Sequence, residues 1–330
     1  MSETFRALVA RKDDDGQQCA FETLSLNDLD DGDVTIAVEY STLNYKDGLA
    51  MTGAAPIVQK HPLILGIDYS GTVLESSHGG FIAGDRVVLN GYGASEYLHG
   101  GYAGRARVSG DLLVKLPDSV SNRQAMAVGT AGYTAMLSVM ALQANGPAAG
   151  DGQILVTGAA GGVGTVAITL LTKLGYDVVA STGRPDEAQF LKELGASDII
   201  DRAELGERGK PLQKERWAGA VDCVGSHTLA NVLAQTRYEG IVTACGLAQG
   251  ADLPATVMPF ILRNVQLRGV DSVQAPISRR KVAWQRLAKE LDMDKLESLS
   301  FDLPFEQLPA YGQKILAGAV RGRAIVAIAN

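Results

Sequence analysis

The sequence predicts an α/β protein of two domains, one β-rich and one built on a parallel sheet with helices on both faces. Strand and helix patterns alternate from Gln153 to Cys245, which is typical of βαβ units. Residues 1–120 instead carry short β-branched runs punctuated by glycine, such as Val34–Tyr40, which favour a small barrel or sandwich. The length of 330 residues agrees with two domains, because single cores stop growing near about 250–300 residues.

The elements of the parallel-sheet domain follow from its periodicity. Ser121 and Gln124 have the spacing of a capping box and open the uncharged stretch Ala125–Leu142. This stretch is the nearest approach to a membrane span, but glycine and hydroxyl residues interrupt it and its flanks lack charge, so we expect a buried helix. The expected strands are Ile154–Thr157, Asp177–Ala180, Asp198–Ile200, Ala220–Val224 and Gly240–Cys245, and the expected helices are Gly162–Leu174, Pro185–Leu194 and Thr228–Ala234.

The C-terminal part is too short to form its own core. It contains a charged helix, Arg279–Leu291, a helix near Glu306–Gly318 and a closing strand, Ala324–Ala329. We therefore expect it to return to the first domain. The predicted domains are residues 1–120 plus 273–330, and residues 121–272.

Charge and cysteine content disfavour several classes of protein. The 30 Lys and Arg residues against 37 Asp and Glu give a net charge of −7, which disfavours a nucleic-acid partner. Cys19, Cys223 and Cys245 are far apart in sequence, so we expect neither a disulfide framework nor a structural zinc site. No signal-peptide segment is recognisable, and a reducing, cytoplasmic location without a membrane partner is expected.

A glycine-rich loop predicts dinucleotide binding. Gly158, Gly161 and Gly164 have the spacing G-x-x-G-x-x-G between an apolar strand and an apolar helix. That setting provides a tight turn, close approach of backbone to a pyrophosphate, and helix N–H groups directed at it. The alternative is that these glycines serve only the turn and the packing.

The tip of the next strand indicates which dinucleotide is bound. An NAD-binding unit usually places an acid there, to hold the ribose 2′-hydroxyl. Residues Ser181, Thr182, Gly183 and Arg184 contain no acid, and Asp177 lies at the opposite end of the strand. This pattern favours the 2′-phosphate of NADPH, unless Arg184 is merely a solvated surface residue.

Several motifs resemble those of the medium-chain dehydrogenase/reductases. They are Pro62–Val73, Gly84–Val87, Gly129–Ala135 and the glycine loop, and the resemblance extends over nearly the whole chain. It implies a Rossmann domain inserted in a β-rich, GroES-like substrate domain. The zinc-dependent branch has Cys and His-Glu where this chain has Asn44–Asp47 and Gly66–Asp68, and the four histidines have no ligand spacing. The resemblance is therefore to the zinc-free group, with no metal site.

Within that group the chain is similar to the acrylyl-CoA reductases, in Leu43–Ala50, Met258–Val265 and Gly269–Ser272. The resemblance implies that NADPH contacts the loop and the strand tip, with Leu247, Ile261 and Ser272 near the nicotinamide and Arg323 closing the site. Each of these last four positions also has a purely structural alternative. Leu247 and Ile261 could be core residues, Ser272 a turn residue and Arg323 a solvated charge. The implied cofactor contacts are Tyr45, Ala160, Gly161, Gly162, Val163, Ser181, Thr182, Gly183, Arg184, Arg202, Leu247, Ile261, Ser272 and Arg323.

The implied reaction is NADPH-dependent reduction of the α,β double bond of acrylyl-CoA to propionyl-CoA, by hydride transfer to the β-carbon. Candidate catalytic residues are Asn44 as an amide donor, Tyr45 as a hydroxyl donor or cofactor contact, and Lys46 as a charge donor, although a structural turn would explain one or two of them. The proton donor to the α-carbon is left open between a residue and water.

Two other functions compete with this one. The first is a reductase of quinones or activated enals, since only the pocket would differ. The second is a nucleotide-binding protein without turnover. The resemblance also implies an acyl-CoA as the small-molecule partner and a homodimer.

Overall fold

Residues 3–14 and 16–328 are described by the computed structural model. They divide into two units. The first unit comprises Met1–Thr130, Ser272–Ala288 and Leu296–Asn330, and the second comprises Ala131–Asp271 and Lys289–Lys295.

Sixteen strands and ten α-helices are found in the described residues. The strands are β1 (Thr4–Asp13), β2 (Gly16–Ser25), β3 (Val34–Leu43), β4 (Leu63–Ile64), β5 (Asp68–Ser76), β6 (Arg86–Asn90), β7 (Arg105–Val108), β8 (Val114–Lys115), β9 (Gln153–Val156), β10 (Asp177–Thr182), β11 (Asp198–Asp201), β12 (Trp217–Asp222), β13 (Thr236–Ala244), β14 (Gln266–Gly269), β15 (Ser300–Asp302) and β16 (Arg323–Ala327). The helices are α1 (Tyr45–Thr52), α2 (Asn122–Asn145), α3 (Gly162–Lys173), α4 (Ala188–Leu194), α5 (Ala203–Gly206), α6 (Ser226–Gln235), α7 (Met258–Arg263), α8 (Ile277–Glu290), α9 (Met293–Ser298) and α10 (Leu308–Leu316).

The first unit is β-rich, as the sequence predicts. Its larger sheet has the order β15-β16-β3-β5-β6-β8, with β7 also paired to β3, and its smaller sheet has the order β2-β1-β4. The C-terminal strand β16 pairs antiparallel with β3, from Ala324 opposite Leu43 to Ala327 opposite Tyr40. A core of aliphatic and aromatic side chains contains residues of β3, β5 and β16. The C-terminal strand therefore lies in the same sheet as β3.

The second unit contains a six-stranded parallel sheet of order β11-β10-β9-β12-β13-β14. Numbered from its own first strand, this is the 3-2-1-4-5-6 order of a dinucleotide-binding sheet. Leu155, Val179 and Val242 come from three of these strands and belong to one buried cluster. The order places β9 and β12 at the centre, where the strand connections reverse direction, and ligands bind at the carboxyl ends of such strands.

Helix α2 begins with the predicted capping box. The Gln124 N–H donates to Ser121 Oγ at 3.1 Å, and the Ser121 N–H donates to Gln124 Oε1 at 3.0 Å. Gly129 interrupts the helix with φ 51° and ψ −165°. Of the helices in the described part of the chain, α2 is long and apolar enough to cross a membrane, and most of its apolar window is buried. The expected burial of this segment is confirmed.

Several elements differ from the sequence-based expectation, among them the first hairpin and the first helix. The hairpin β1–β2, which pairs Thr4 with Ser25, was not predicted, because neither strand alternates cleanly between apolar and polar residues. Helix α1 was also missed, because its eight residues include Gly48 and span only about two turns. The helix expected from Pro185 begins instead as a 3₁₀ turn, Pro185–Glu187, before α4.

Gly71→Ala should destabilise the first unit, because Gly71 lies where two strands meet closely. Gly71 faces Val38 across the β3–β5 pair, and a Cβ there would lie 2.0 Å from the Ala37 carbonyl oxygen. Relieving that overlap requires strand movement, so we expect a loss of about 1–3 kcal/mol in the free energy of unfolding. Urea denaturation measures it. Gly79→Ala is the control, since nothing lies within 4 Å of its added Cβ; equal midpoints for both variants would contradict the prediction.

Candidate active site

The loop between β9 and α3 has the backbone shape that a phosphate-binding turn requires. Gly158 has φ 59°, in the left-handed region that glycine adopts without strain. A Cβ on Gly164 would lie 2.5 Å from the Gly158 carbonyl oxygen, so only glycine allows the helix to pack this closely on the loop. Gly161 is the N-cap of α3. The first N–H groups of a helix have no acceptor within it, so they can bind an anion.

The tip of β10 is joined to this loop by hydrogen bonds. The Ala159 N–H donates to the Ser181 carbonyl oxygen at 3.2 Å. The Arg184 guanidinium donates through Nη2 to the Ala160 carbonyl oxygen at 3.1 Å, and its Nη1 lies 3.9 Å from Glu187 Oε1. Arg184 therefore connects the strand tip to the glycine loop through its own side chain.

Arg202 contributes a second guanidinium to the same strand end. It follows β11 directly, and its backbone N–H donates to the Thr182 carbonyl oxygen at 3.0 Å. A Cβ on Gly183 would lie 2.1 Å from Arg202 Nε, so the arginine side chain lies against the glycine backbone. Two cations at a strand tip without an acid in residues 181–184 form a suitable partner for a phosphate.

A cavity of about 480 Å³ opens at the carboxyl ends of β13 and β14. Residues 244–247 and 269–271 line it, and they include Leu247, whose side chain is exposed. Ile261 lies on α7 and is also exposed. Because neither side chain is buried, the alternative that Leu247 and Ile261 are core residues is removed.

In the first unit, the Asp68 carboxylate is buried and accepts hydrogen bonds from three other residues. Oδ2 accepts from Asn44 Nδ2 at 2.8 Å and from the Thr130 N–H at 2.7 Å. Oδ1 accepts from Asn90 Nδ2 at 3.0 Å and from the Thr130 hydroxyl. These hydrogen bonds stabilise the Asp68 carboxylate, whose burial without partners would cost free energy.

A second buried carboxylate, Asp47, lies in the first turn of α1. Its Oδ2 accepts from the Asn44 N–H at 2.8 Å and its Oδ1 from the Ile67 N–H at 2.9 Å. Burial, followed by the nearby Asp68 carboxylate, raises the pKa of Asp47 to about 7. Asp47 therefore exchanges its proton near neutral pH.

Arg323 is the buried cation of this cluster. Its Nε donates to the Ala127 carbonyl oxygen at 2.9 Å, and its Nη2 to Thr42 Oγ1 at 3.1 Å and to Asn44 Oδ1 at 3.4 Å. A Cβ on Gly129 would lie 2.4 Å from Nη2, so the guanidinium packs against that glycine. Burial lowers the pKa of Arg323, and the attraction of the Asp68 and Asp47 carboxylates opposes this shift.

The three candidate catalytic residues point to different partners. Asn44 is buried, with its amide shared among Asp68, Asp47 and Arg323 as described above. Lys46 forms an ion pair with Glu96. Tyr45 is about half exposed.

The predicted cofactor residues thus fall into three groups. The structure gathers nine of them at the carboxyl ends of β9, β10 and β11. Two more follow β13. The rest belong to the first unit, where the Ser272 carbonyl oxygen accepts from Arg280. In this order the groups are Ala160, Gly161, Gly162, Val163, Ser181, Thr182, Gly183, Arg184 and Arg202; then Leu247 and Ile261; then Tyr45, Ser272 and Arg323.

Sequence reasoning gave no role to Asp47, Asp68 or Thr130, which complete the buried cluster. A signal for Asp68 was present, because it is the one charged residue within the apolar run Pro62–Val73. An acid inside a buried strand needs partners, but the sequence does not say which donors approach it.

Both parts of the chain match known domain families. Residues 30–118 match the alcohol dehydrogenase GroES-like domain, and residues 162–289 match the zinc-binding dehydrogenase domain. The chain is 52% identical over 325 residues to acrylyl-CoA reductase AcuI of Ruegeria pomeroyi, and the match covers 98% of each chain. The chain belongs to the medium-chain dehydrogenase/reductase family.

Two solved structures of family members are also similar. The yhdH oxidoreductase of Salmonella enterica, in complex with NADP, is 48% identical with a TM-score of 0.96, over 98% of this chain and 100% of that one. Protein yhfP of Bacillus subtilis, with NAD bound, is 44% identical with a TM-score of 0.95, over 99% of this chain and 100% of that one. The GroES-like and Rossmann-like architecture expected from the motifs is confirmed.

The family includes zinc-binding members, so the residues were compared with the needs of a zinc ion. Among residues 3–14 and 16–328, no group of three His, Cys, Asp or Glu side chains could hold a metal. The carboxylates of Asp47 and Asp68 accept N–H and O–H donors, and no cysteine or histidine joins them. These residues do not fit a zinc site, which prefers thiolate and imidazole ligands.

Asp47→Asn should flatten part of the pH dependence of stability. The pKa of Asp47 is about 7 in the folded protein, against an ordinary value of 3.8. Between these values the folded protein keeps a proton that the unfolded chain releases, so stability falls as the pH rises and levels off above about pH 7.

Thermal unfolding midpoints measured from acid to neutral pH test this. We expect the midpoint to fall less steeply for Asp47→Asn than for the unchanged protein. Asp31→Asn, at an exposed position, is the control and should keep the original slope. If Asp47→Asn also keeps that slope, the proton is not held by Asp47.

Proposed function

We propose that this family member is an NADPH-dependent acrylyl-CoA reductase, which reduces the α,β double bond of acrylyl-CoA to give propionyl-CoA. The observation that carries the proposal is the 52% identity to acrylyl-CoA reductase AcuI along the whole chain. The blocks around Asn44–Lys46 and the glycine loop lie within that match. The residues of the candidate active site are compatible with the proposed reductase activity.

The second unit offers the features that NADPH needs. The glycine loop and the N-terminus of α3 are suited to the pyrophosphate, and the close packing of α3 on the loop at Gly164 supports this assignment. Arg184 and Arg202 are suited to the 2′-phosphate. Binding of NAD by Bacillus subtilis yhfP shows that a relative of similar identity accepts the form without this phosphate. We therefore base the choice of NADPH for this chain on the two arginines and not on the glycine loop.

When bound, NADPH supplies the hydride that adds to the β-carbon of the acyl group. Negative charge then develops on the thioester oxygen, which requires a hydrogen-bond donor. We assign this donor to Tyr45, because its side chain is about half exposed, whereas that of Asn44 is buried. Lys46 is neutralised by Glu96, which makes it a weaker candidate.

Asn44 has a positioning role in this proposal. Its side chain is committed to Asp68 and Arg323 and it caps α1, the helix that begins with Tyr45. The cluster therefore fixes the backbone from which Tyr45 projects. No side chain is assigned as proton donor to the α-carbon, and solvent water fills that role in the proposal.

Substrate preference tests the proposed reaction directly. We expect a higher kcat/KM for acrylyl-CoA than for a benzoquinone with NADPH as reductant. The quinone alternative has its own support, since Bacillus subtilis YhfP, 45% identical over 99% of both chains, is named as a candidate quinone oxidoreductase.

Steady-state NADPH oxidation with each substrate decides between the two. A kcat/KM for benzoquinone above that for acrylyl-CoA would favour the quinone or enal reductase. Failure of both substrates to oxidise NADPH, with nucleotide binding intact, would favour a binding protein without turnover.

Arg184→Ala should raise the KM for NADPH much more than the KM for NADH. Hydrogen bonds to charged groups contribute about 1.5–3 kcal/mol each, which corresponds to roughly a 10- to 150-fold rise for NADPH. NADH lacks the 2′-phosphate and should change little. Arg202→Ala should act in the same direction, and the double variant should lose more than either single one if both arginines share the phosphate.

Arg216→Ala is the control, because that arginine precedes β12 at the amino edge of the sheet and pairs with Glu204. Both KM values should then be unchanged. Since Arg184 also bonds the Ala160 carbonyl oxygen, an equal rise for NADH and NADPH would mean that the arginine only supports the loop.

A further inference from the structure

Two of the three cysteines lie side by side in the second unit. Asp222 and Ala244 are register partners at the ends of the parallel strands β12 and β13, and Cys223 and Cys245 follow them directly. Their Sγ atoms are 3.8 Å apart. The two cysteines are 22 positions apart in sequence, which conceals this proximity.

The geometry is close to that of a disulfide. A disulfide needs an Sγ–Sγ distance of about 2.05 Å and Cα atoms roughly 4.4–6.8 Å apart. Paired positions on neighbouring strands are about 4.7–4.9 Å apart, within that range. Both thiols are free in the structure, so their sulfur atoms are available for a bond between them.

The two thiols have different surroundings. Cys245 lines the cavity at the ends of β13 and β14 together with Leu247. Cys223 lies against the glycine loop, since a Cβ on Gly158 would be 3.3 Å from Cys223 Cβ. The hydrogen bond with Cys245, together with burial, raises the pKa of the Cys223 thiol well above its usual range. The cavity beside Cys245 gives an oxidant access to that thiol, and Cys223 is then the second thiol to react.

We propose that Cys223 and Cys245 form a reversible disulfide under hydroperoxide, and that this bond weakens nucleotide binding at the adjacent site. The effect on binding rests on the proposed function, whereas the formation of the bond does not.

The chemistry proceeds in two balanced steps. The Cys245 thiol loses its proton to solvent, and the thiolate attacks a peroxide oxygen, so an S–O bond forms and the O–O bond breaks. The hydroxide that leaves takes up this proton and becomes water. The Cys223 sulfur then attacks the resulting sulfenic acid. The S–S bond forms, the S–O bond breaks, and the Cys223 proton leaves with the hydroxyl as water. Two thiols are oxidised and one hydrogen peroxide is reduced to two waters; a dithiol reverses the bond by exchange.

The loops that follow β12 and β13 pack tightly on each other. A disulfide between them would therefore affect the edge of the sheet that is proposed to bind the nucleotide. A Cβ on Gly246 would lie 2.4 Å from the Cys223 carbonyl oxygen, and one on Gly225 would lie 3.3 Å from Leu247 Cα. The loops after β12 and β13 are thus in direct backbone contact. Drawing the sulfur atoms together shifts the segment that carries Leu247 and presses Cys223 on the glycine loop.

The whole protein, treated with hydrogen peroxide and then denatured, tests the bond. We expect free thiols to fall from three to one per chain, a peptide pair linking Cys223 to Cys245, and recovery with dithiothreitol. Cys19→Ser is the matched control and should still form the link, whereas Cys223→Ser and Cys245→Ser should not. Sulfinic acids or links between chains, in place of this peptide pair, would overturn the proposal.

NADPH titration of reduced and oxidised protein tests the consequence. We expect the Kd for NADPH to rise at least fivefold on oxidation and to return with dithiothreitol. An unchanged Kd in fully linked protein would overturn the regulatory role. If the reduced protein does not bind NADPH at all, the proposed function fails, while the peptide pair still reports on the disulfide.

Discussion

The buried carboxylate of Asp68 is the interaction on which the first unit depends. It accepts hydrogen bonds from Asn44, Asn90 and Thr130, and it attracts the guanidinium of Arg323. These residues come from strand ends, a helix cap and the C-terminal strand. Removing one partner would leave a buried charge uncompensated, which is costly in an apolar interior. The cluster therefore requires all these segments to be in place together.

This constraint also shapes the proposed chemistry. Asn44 and Asp47 serve the start of α1, so the backbone at Tyr45 is held by the same hydrogen bonds that hold Asp68. In the second unit the parallel sheet has the corresponding role. Its strands all end on one edge, and that edge gathers the glycine loop, Arg184, Arg202 and the two neighbouring cysteines. The residues proposed to bind the nucleotide and the two cysteine thiols are thereby brought to the same edge of the sheet.

The sequence by itself determined the fold class and the kind of site. Alternating periodicity predicted the parallel sheet, and the spacing of Gly158, Gly161 and Gly164 predicted the loop, because local backbone geometry requires glycine there. The capping box at Ser121 was also readable, since its hydrogen bonds join residues three apart. The absence of an acid in residues 181–184 pointed to a basic phosphate site by the same local logic.

Only the tertiary structure decided which distant side chains meet. It brought Arg323 to Asn44, 279 residues away, and Cys223 to Cys245, and it turned Lys46 toward Glu96. No local pattern encodes these pairs, because sheet order and register set them, and both arise when the whole chain packs. Burial is likewise a property of the folded molecule, which is why the raised pKa of Asp47 is invisible in the sequence.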